Sequence, residues 1–278
     1  MSHCLRVALC ALLLLFPVST IPQAPPTDLA LSSVEDFQAA FTAIPCKNEE
    51  RLAAVKALFR EMGATEADYT VEKIKDVENF VLRKVGETDE KIIIGAHYDM
   101  TGPGSCGAVD NWTGIVAIAH LYRTLKDAKL KKTLIFVGFG QEEKGLIGSR
   151  AMAKQIKKDE LNQYCAMINL DSLGMTVPMV MTNVSQKKLT ELTKEIAKKM
   201  DVPLKTTSIA NADTDSTPFL DKKIPSISLV AMTPNWAEVF HHKGDQANII
   251  KPESVYLGYR LALSLVARVN EEECGAYR

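Results

Sequence analysis

The chain has 278 residues, of which 46% are hydrophobic and 24% charged, with a formal net charge of −1. That length and balance describe a globular chain with room for one large α/β domain after a leader. The near-neutral charge leaves no basic surplus for phosphate, so nucleic acid is not expected as a partner and the lysines of Lys129 to Lys132 read as solvated surface.

In chain order, Met-Ser-His-Cys-Leu-Arg leads into an apolar run from Val7 to Val18, broken by Pro17. This is the pattern of a secretory signal over residues 1–20, with cleavage near Ser19-Thr20 or after Ala24, and it predicts export. The run is short of the roughly 20 apolar residues that a membrane span needs. Leu9 before Cys10 disfavours lipid attachment. Residues 21–278 then form one domain, joined through a Pro-rich stretch from Pro22 to Pro26. Four further cysteines, Cys46, Cys106, Cys165 and Cys274, admit three pairings in an exported chain, and Cys165, inside an apolar run, equally suits a buried free thiol. Their spacing is not that of a zinc knuckle.

Leu52, Val55, Leu58 and Phe59 recur at helical spacing and predict a helix over Asn48 to Met62, with Gly63 at its end. Strands are predicted over Asp68 to Lys73, Val77 to Val85, Lys91 to His97, Lys132 to Gly140 and Tyr164 to Asp171. The last three contain unbroken apolar runs that suit strands buried on both faces. Helices are predicted over Trp112 to Leu125, Gly145 to Ile156, Gln186 to Met200 and Glu253 to Val269. Alternating strands and helices argue for an α/β fold of three layers, a mixed but mostly parallel central sheet covered by helices on both faces. In such sheets ligands gather beyond the carboxyl ends of the strands.

The unusual residues fall at those ends. His97 and Asp99 close one buried strand, two apart and therefore on one side of an extended segment. An imidazole oriented by a carboxylate is a recurrent metal arrangement, although the pair alone also suits a surface loop. Asp110 follows a loop of small residues, Thr101 to Ala108, and alone would read as a helix N-cap. Glu142 and Glu143 are adjacent after a second buried strand, where like charges are costly unless a cation neutralises them. One of the pair can bind an ion while the other acts as general base. An exposed acidic pair opening the next helix is the simpler alternative. Asp171 ends a third buried strand, and His241 and His242 form a late pair in Phe240-His-His-Lys-Gly-Asp245. Together these are hard and borderline ligands from three strand ends and one loop.

Gly95-Ala-His-Tyr-Asp99, Gly107-Ala-Val-Asp-Asn-Trp-Thr-Gly114, Glu142-Glu-Lys-Gly-Leu-Ile-Gly-Ser149 and Asn169-Leu-Asp171, in this order, resemble the co-catalytic zinc aminopeptidase family. Secreted leucyl aminopeptidases belong to it, and glutamate carboxypeptidase and the glutaminyl cyclases are more distant relatives. The resemblance runs from Asn48 to the C-terminus and implies the zinc-dependent exopeptidase fold. It implies two zinc ions, one held by His97 and Asp171, the other by Glu143 and His241, with Asp110 bridging them. Asp99 would orient His97, and Glu142 would be the general base. It also implies a cis peptide bond between Asp110 and Asn111. The family's late ligand stands four residues before an Asp, which favours His241 over His242 and leaves His242 facing solvent or substrate.

Three positions depart from the family or stand at its margin. Asp215, in Thr214-Asp-Ser-Thr-Pro-Phe219, lies near the expected substrate site, with Ser216 where the family often has His. Phe240 stands where some members carry a Tyr that stabilises the oxyanion, so that donor has no assigned residue. Asn111 and Asn183 both sit in glycosylation patterns, and Asn183 is the better acceptor because a sugar at Asn111 would obstruct the site.

The expected reaction is removal of the first residue from a peptide with a free amino terminus, whose protonated amine the acidic groups would bind in a short pocket. Rival expectations are a glutaminyl cyclase with one zinc, a catalytically silent binding protein, and a carboxypeptidase, for which no cationic clamp is identifiable.

Overall fold

The computed structural model describes residues 29–278. The predicted leader, Cys10 and the Pro22–Pro26 join lie outside them. After α1 (Val34–Ala40), which Ser33 and Asp36 open with a reciprocal capping box, comes α2 (Asn48–Glu61). Gly63 follows at φ 97°, a left-handed turn that ends the helix at little steric cost.

Then follow β1 (Tyr69–Ile74), β2 (Val77–Lys84), β3 (Lys91–His97), α3 (Thr113–Leu125), β4 (Thr133–Phe139), α4 (Ile147–Gln155) and β5 (Tyr164–Leu170). The remainder comprises β6 (Met179–Met181), α5 (Lys187–Lys199), β7 (Lys205–Thr207), α6 (Thr217–Asp221), β8 (Ser226–Val230), α7 (Trp236–Val239) and α8 (Pro252–Glu271). The predicted helix starts at Trp112 and Gly145 move inward, to Thr113 and Ile147, because irregular turns precede both helices.

The strands form one sheet in the order β1-β2-β4-β3-β5-β8-β6-β7. Its centre, β4-β3-β5-β8, is parallel in register, while β1, β2 and the β6–β8 pair add antiparallel edges. Ile92, Ile94 and Ala96 of β3 bury against the face covered by α3 and α8, and Ile93 against the opposite face with Met152, Ile156 and Phe219. A strand with both faces apolar is thereby fixed in the middle layer, and its carboxyl end, where His97 stands, is the one end open for chemistry.

One expectation is corrected and one open alternative is decided. Lys132 is not solvated surface: its side chain is 3% exposed, and its Nζ donates to the carbonyls of Asn270 (3.1 Å) and Glu272 (2.7 Å) and pairs with Glu90 (3.0 Å). A cation on the last turn of α8 satisfies carbonyls that the helix leaves free. Cys165 is not a free thiol, since the cysteines form Cys46–Cys106 and Cys165–Cys274. These close loops of 60 and 109 residues, so in the chain-entropy picture each is worth at most about 4–5 kcal/mol. Cys165→Ser with Cys274→Ser is therefore expected to lower the urea midpoint substantially, and an unchanged midpoint would show that this bond constrains little of the unfolded chain.

Candidate metal centre

Three neighbouring parallel strands bring their carboxyl ends together: β3 ends at His97, β4 is followed by Glu142 and Glu143, and β5 by Asp171. Asp110 enters from the irregular turn Ala108–Trp112 that precedes α3, where the Asp110–Asn111 bond is cis, as the resemblance implies. Asn111 is fully buried and ties this turn to β5, its amide donating to the Leu170 carbonyl (2.9 Å) and its oxygen accepting from Ser172 (3.1 Å) and Gly114 (3.0 Å). His241 arrives after α7 at φ 62°, a left-handed conformation uncommon outside glycine. Gly102 admits it, for a Cβ there would collide with the His241 carbonyl.

The resulting geometry has Asp110 in the middle. One of its oxygens lies 3.2 Å from His97 Nε2, and the other 3.3 Å from His241 Nε2. His97 Nε2 is also 3.7 Å from Asp171, and His241 Nε2 is 2.9 Å from Glu143. Two donor triads result, His97–Asp110–Asp171 and Asp110–Glu143–His241, each with one atom per residue within 4.8 Å of the others. The second oxygen of Glu143 is buried with no hydrogen-bond partner, and five carboxylates crowd one small volume. Imidazole and carboxylate donors in overlapping triads suit zinc, and a cation satisfies both the orphan oxygen and the like charges.

Asp99 serves two neighbours. His97 Nδ1 lies 3.2 Å from its carbonyl and 3.7 Å from its carboxylate, which leaves Nε2 directed at the donor cluster. The carboxylate accepts the backbone N–H groups of Glu142 (2.9 Å) and Glu143 (3.2 Å), so it also sets where those two glutamates begin.

Burial raises Glu142 well above the usual carboxylate range, opposed by His97 and reinforced by Asp215, Asp171 and Asp110. Burial raises Glu143 too. Burial works against a charged His97, but Glu142, Asp110, Asp171 and Asp99 hold it well above its ordinary value. The hydrogen bonds to Asp110 and Glu143 lift His241 to about 10.

A cavity of about 240 Å³ opens over the cluster. His97, Asp110, Glu142, Glu143, Asp171 and His241 form its acidic floor, and Met181, Ile209, Val230, Met232, Trp236 and Phe240 its apolar walls. Phe240 packs on Trp236 at 5.6 Å between ring centroids and offers no hydroxyl. The other two residues expected to touch substrate do not line this cavity. Asp215 is fully buried behind the floor, neither oxygen hydrogen-bonded, and burial raises it to about 7. His242 is exposed outside the cavity, because the left-handed turn at His241 directs successive side chains apart.

Three residues that shape the site carry no clear signal in the sequence. Asp245, there only a register mark for His241, is buried and accepts the N–H groups of Val109 (2.6 Å) and Asp110 (3.3 Å). Arg51 lies behind the same loop. The Asn183 amide is engaged rather than free for a sugar: it donates to the carbonyls of Ile209 (3.1 Å) and Ala212 (2.9 Å) and accepts from Ile209 N (3.2 Å). Thus Asn183 holds a wall of the cavity.

Residues 79–266 match the model of peptidase family M28. The chain belongs to peptidase family M28. The M28 segment runs from β2 into α8 and contains every donor of both triads, whereas α2 and Arg51 precede it. The chain is similar to aminopeptidase YwaD of Bacillus subtilis, 36% identical over 83 residues, or 30% of this chain and 18% of that protein. Stretches matched in the first curated relatives span only about a fifth of those proteins' length. Among solved structures, a zinc aminopeptidase from Bacillus subtilis superposes with a TM-score of 0.64 at 26% identity, over 70% of this chain and 51% of that one. A glutaminyl cyclase from an Acidobacteriales bacterium reaches a TM-score of 0.76 at 16% identity, over 90% of this chain and 99% of that one, a likeness of fold alone.

Proposed function

We propose that this M28 chain is a two-zinc aminopeptidase that releases an apolar first residue from peptides with a free amino terminus. The observation that carries the reading is the division of Asp110, whose two oxygens face two different histidines, each completing its own triad. His97 and Asp171 would hold one ion, Glu143 and His241 the other, and Asp110 both. Bound there, zinc supplies Lewis acidity, making water a stronger acid and stabilising negative charge on the scissile carbonyl oxygen.

The chain's own residues do the rest. Glu142, on the cavity floor beside His97 and raised in pKa by its surroundings, accepts the proton of the attacking water and returns it to the departing amine. Asp99 fixes the Glu142 backbone and so holds that base in place. The acidic floor attracts the substrate's ammonium group, and the apolar walls of Met181, Val230, Met232 and Trp236 receive the first side chain while excluding water. A compact pocket of about 240 Å³, rather than an extended groove, favours exopeptidase action.

The leader pattern supports export, as do the two disulfides, which persist in oxidising compartments. Among the described residues no helix is long and apolar enough to cross a membrane.

The test is bound zinc per chain together with hydrolysis of leucyl, alanyl, lysyl and glutamyl anilides beside an amino-terminal glutaminyl peptide. Two ions with chelator-sensitive release of the leucyl residue are expected. One ion with cyclisation of the glutaminyl peptide would replace this reading by a cyclase, and zinc uptake with no turnover by a silent binder. Because Asn183 holds the Ile209–Ala212 wall, Asn183→Ala is expected to raise KM for leucyl substrates several-fold with little change in kcat. Equal losses in kcat and kcat/KM would place that wall in the transition state instead.

A further inference from the structure

Behind the metal centre, on the side away from the cavity, lies a cation that makes no salt bridge among the described residues. Arg51 of α2 is 0% exposed, and all five of its N–H donors end on backbone carbonyls. Nε donates to Pro45 (3.0 Å), Nη1 to Tyr98 (2.9 Å) and Asp99 (3.4 Å), and Nη2 to Cys106 (2.6 Å) and Gly107 (2.7 Å). The guanidinium also sits 5.4 Å from the ring centre of Trp112. Gly107, at φ 52°, leaves space for the fork, since a Cβ there would meet Nη2 at 2.9 Å.

The identity of these carbonyls gives the arrangement its meaning. Tyr98 and Asp99 follow His97, and the Asp99 carbonyl faces both Arg51 and His97 Nδ1. Cys106 and Gly107 lead into the turn that carries Asp110. One planar group therefore joins the segment bearing His97 to the segment bearing Asp110. A full positive charge, buried without a carboxylate in contact, is expensive unless something returns the cost. Here Asp245, Asp99, Asp110 and Glu143 act on it from a distance, so the guanidinium also offsets the repulsion inside the donor cluster. A helix needing only an anchor in the core would do better with an aliphatic side chain.

We propose that Arg51 is a positioning residue of the metal centre, its guanidinium fork fixing the His97–Asp99 strand end against the Cys106–Gly107 approach to Asp110 and thereby setting zinc affinity. This rests on the donor cluster being a zinc site, and not on the reaction performed there.

The experiment is competition for zinc between the full folded chain and a chromophoric chelator, for the parent, Arg51→Lys, Arg51→Met and Arg51→Ala. Lysine retains the charge and stem but not the fork. Arg51→Lys is expected to bind zinc about 10- to 100-fold more weakly, the range seen when a residue that orients a metal ligand is lost. Arg51→Met is expected to bind at least as weakly, and millimolar ethylguanidinium to restore much of the affinity of Arg51→Ala. Circular dichroism monitors folding, and if Arg51→Met or Arg51→Ala does not fold, Arg51→Lys decides. An Arg51→Lys protein that binds zinc within threefold of the parent overturns the proposal. A parent that binds zinc tightly but hydrolyses no peptide defeats the aminopeptidase reading and leaves this one standing.

Discussion

Glu142→Gln is expected to lower kcat by about 10²- to 10⁴-fold, the span covered by a positioned general base, while the zinc content stays that of the parent. Glutamine keeps the shape of the side chain but cannot accept the proton. Both donor triads are complete without Glu142, so zinc bound there would have no reason to leave. KM should change little, because in the proposed reaction Glu142 would act on the proton of the attacking water while the apolar walls would hold the substrate. The assay is steady-state hydrolysis of a leucyl anilide alongside metal analysis of the same sample. A variant within tenfold of the parent would remove Glu142 from the role of base. A variant that has lost zinc would instead make it a ligand, and the His97–Glu142–Glu143 grouping would then need to be read as a third donor set.

Asp99→Asn gives a smaller, related result. Its side chain can still accept from Glu142 or Glu143 with its one carbonyl oxygen, but not from both with a charged carboxylate. A fall in kcat with zinc affinity nearly unchanged would separate its hold on the base from its contact with His97.

Much of this architecture is legible in the chain because two signals coincide. Runs such as Ile92-Ile-Ile94 and Leu134-Ile-Phe-Val137 have no polar face to give to solvent, so they can only be central strands, and the carboxylates and histidine stand directly after them. β8 escapes the same reading because Ser226 and Ser228 interrupt its apolar residues. Both are fully buried, and their hydroxyls are satisfied locally, Ser226 by the Ile224 carbonyl and Ser228 by Thr214 and Ser216. Local satisfaction of that kind leaves no trace in hydrophobic periodicity.

Arg51 and Lys132 escape for the opposite reason. Arg51 stands on the buried face of α2, one turn before Val55, and Lys132 in a Lys-rich run; a long cation in either place reads as reaching solvent, and only the tertiary arrangement of carbonyls shows what each has to bond. Resemblance points Asp215 at the substrate, yet its neighbours Asp213 and Thr214 line the cavity while the Asp215 side chain is fully buried and does not.

The crowding of carboxylates that makes the site fit for zinc also dictates how the protein should behave once zinc is stripped. Burial raises Asp245 to about 6 and Asp215 to about 7, and raises Glu142 and Glu143 as well. In the unfolded chain these groups titrate near 4. Between about pH 4 and pH 7 the folded state therefore holds more protons than the unfolded one, and stability falls as pH rises through that window. His241, raised to about 10 by Asp110 and Glu143, acts in the same direction at higher pH, its contribution being lost as pH climbs from about 6.5 to 10. Asp110 opposes them: although burial resists it, His241 and His97 hold it below the usual range, so its contribution is lost only on acidification.

A tenfold change in the proton affinity of one group corresponds to about 1.4 kcal/mol, and the raised carboxylates all withdraw stability in the same direction between pH 5 and pH 7.5. Zinc reverses the sign, because its ligands must shed protons to bind and its stabilisation grows as RT ln(1 + [Zn]/Kd), about 2.7 kcal/mol at 100 times Kd. Melting curves of chelator-treated and zinc-loaded protein should therefore diverge as pH rises, the stripped form melting progressively lower and the loaded form holding level. A stripped protein whose Tm is flat or rises from pH 5 to pH 7.5 would mean that the chain neutralises this cluster by itself, and the physical case for a metal there would fail with it.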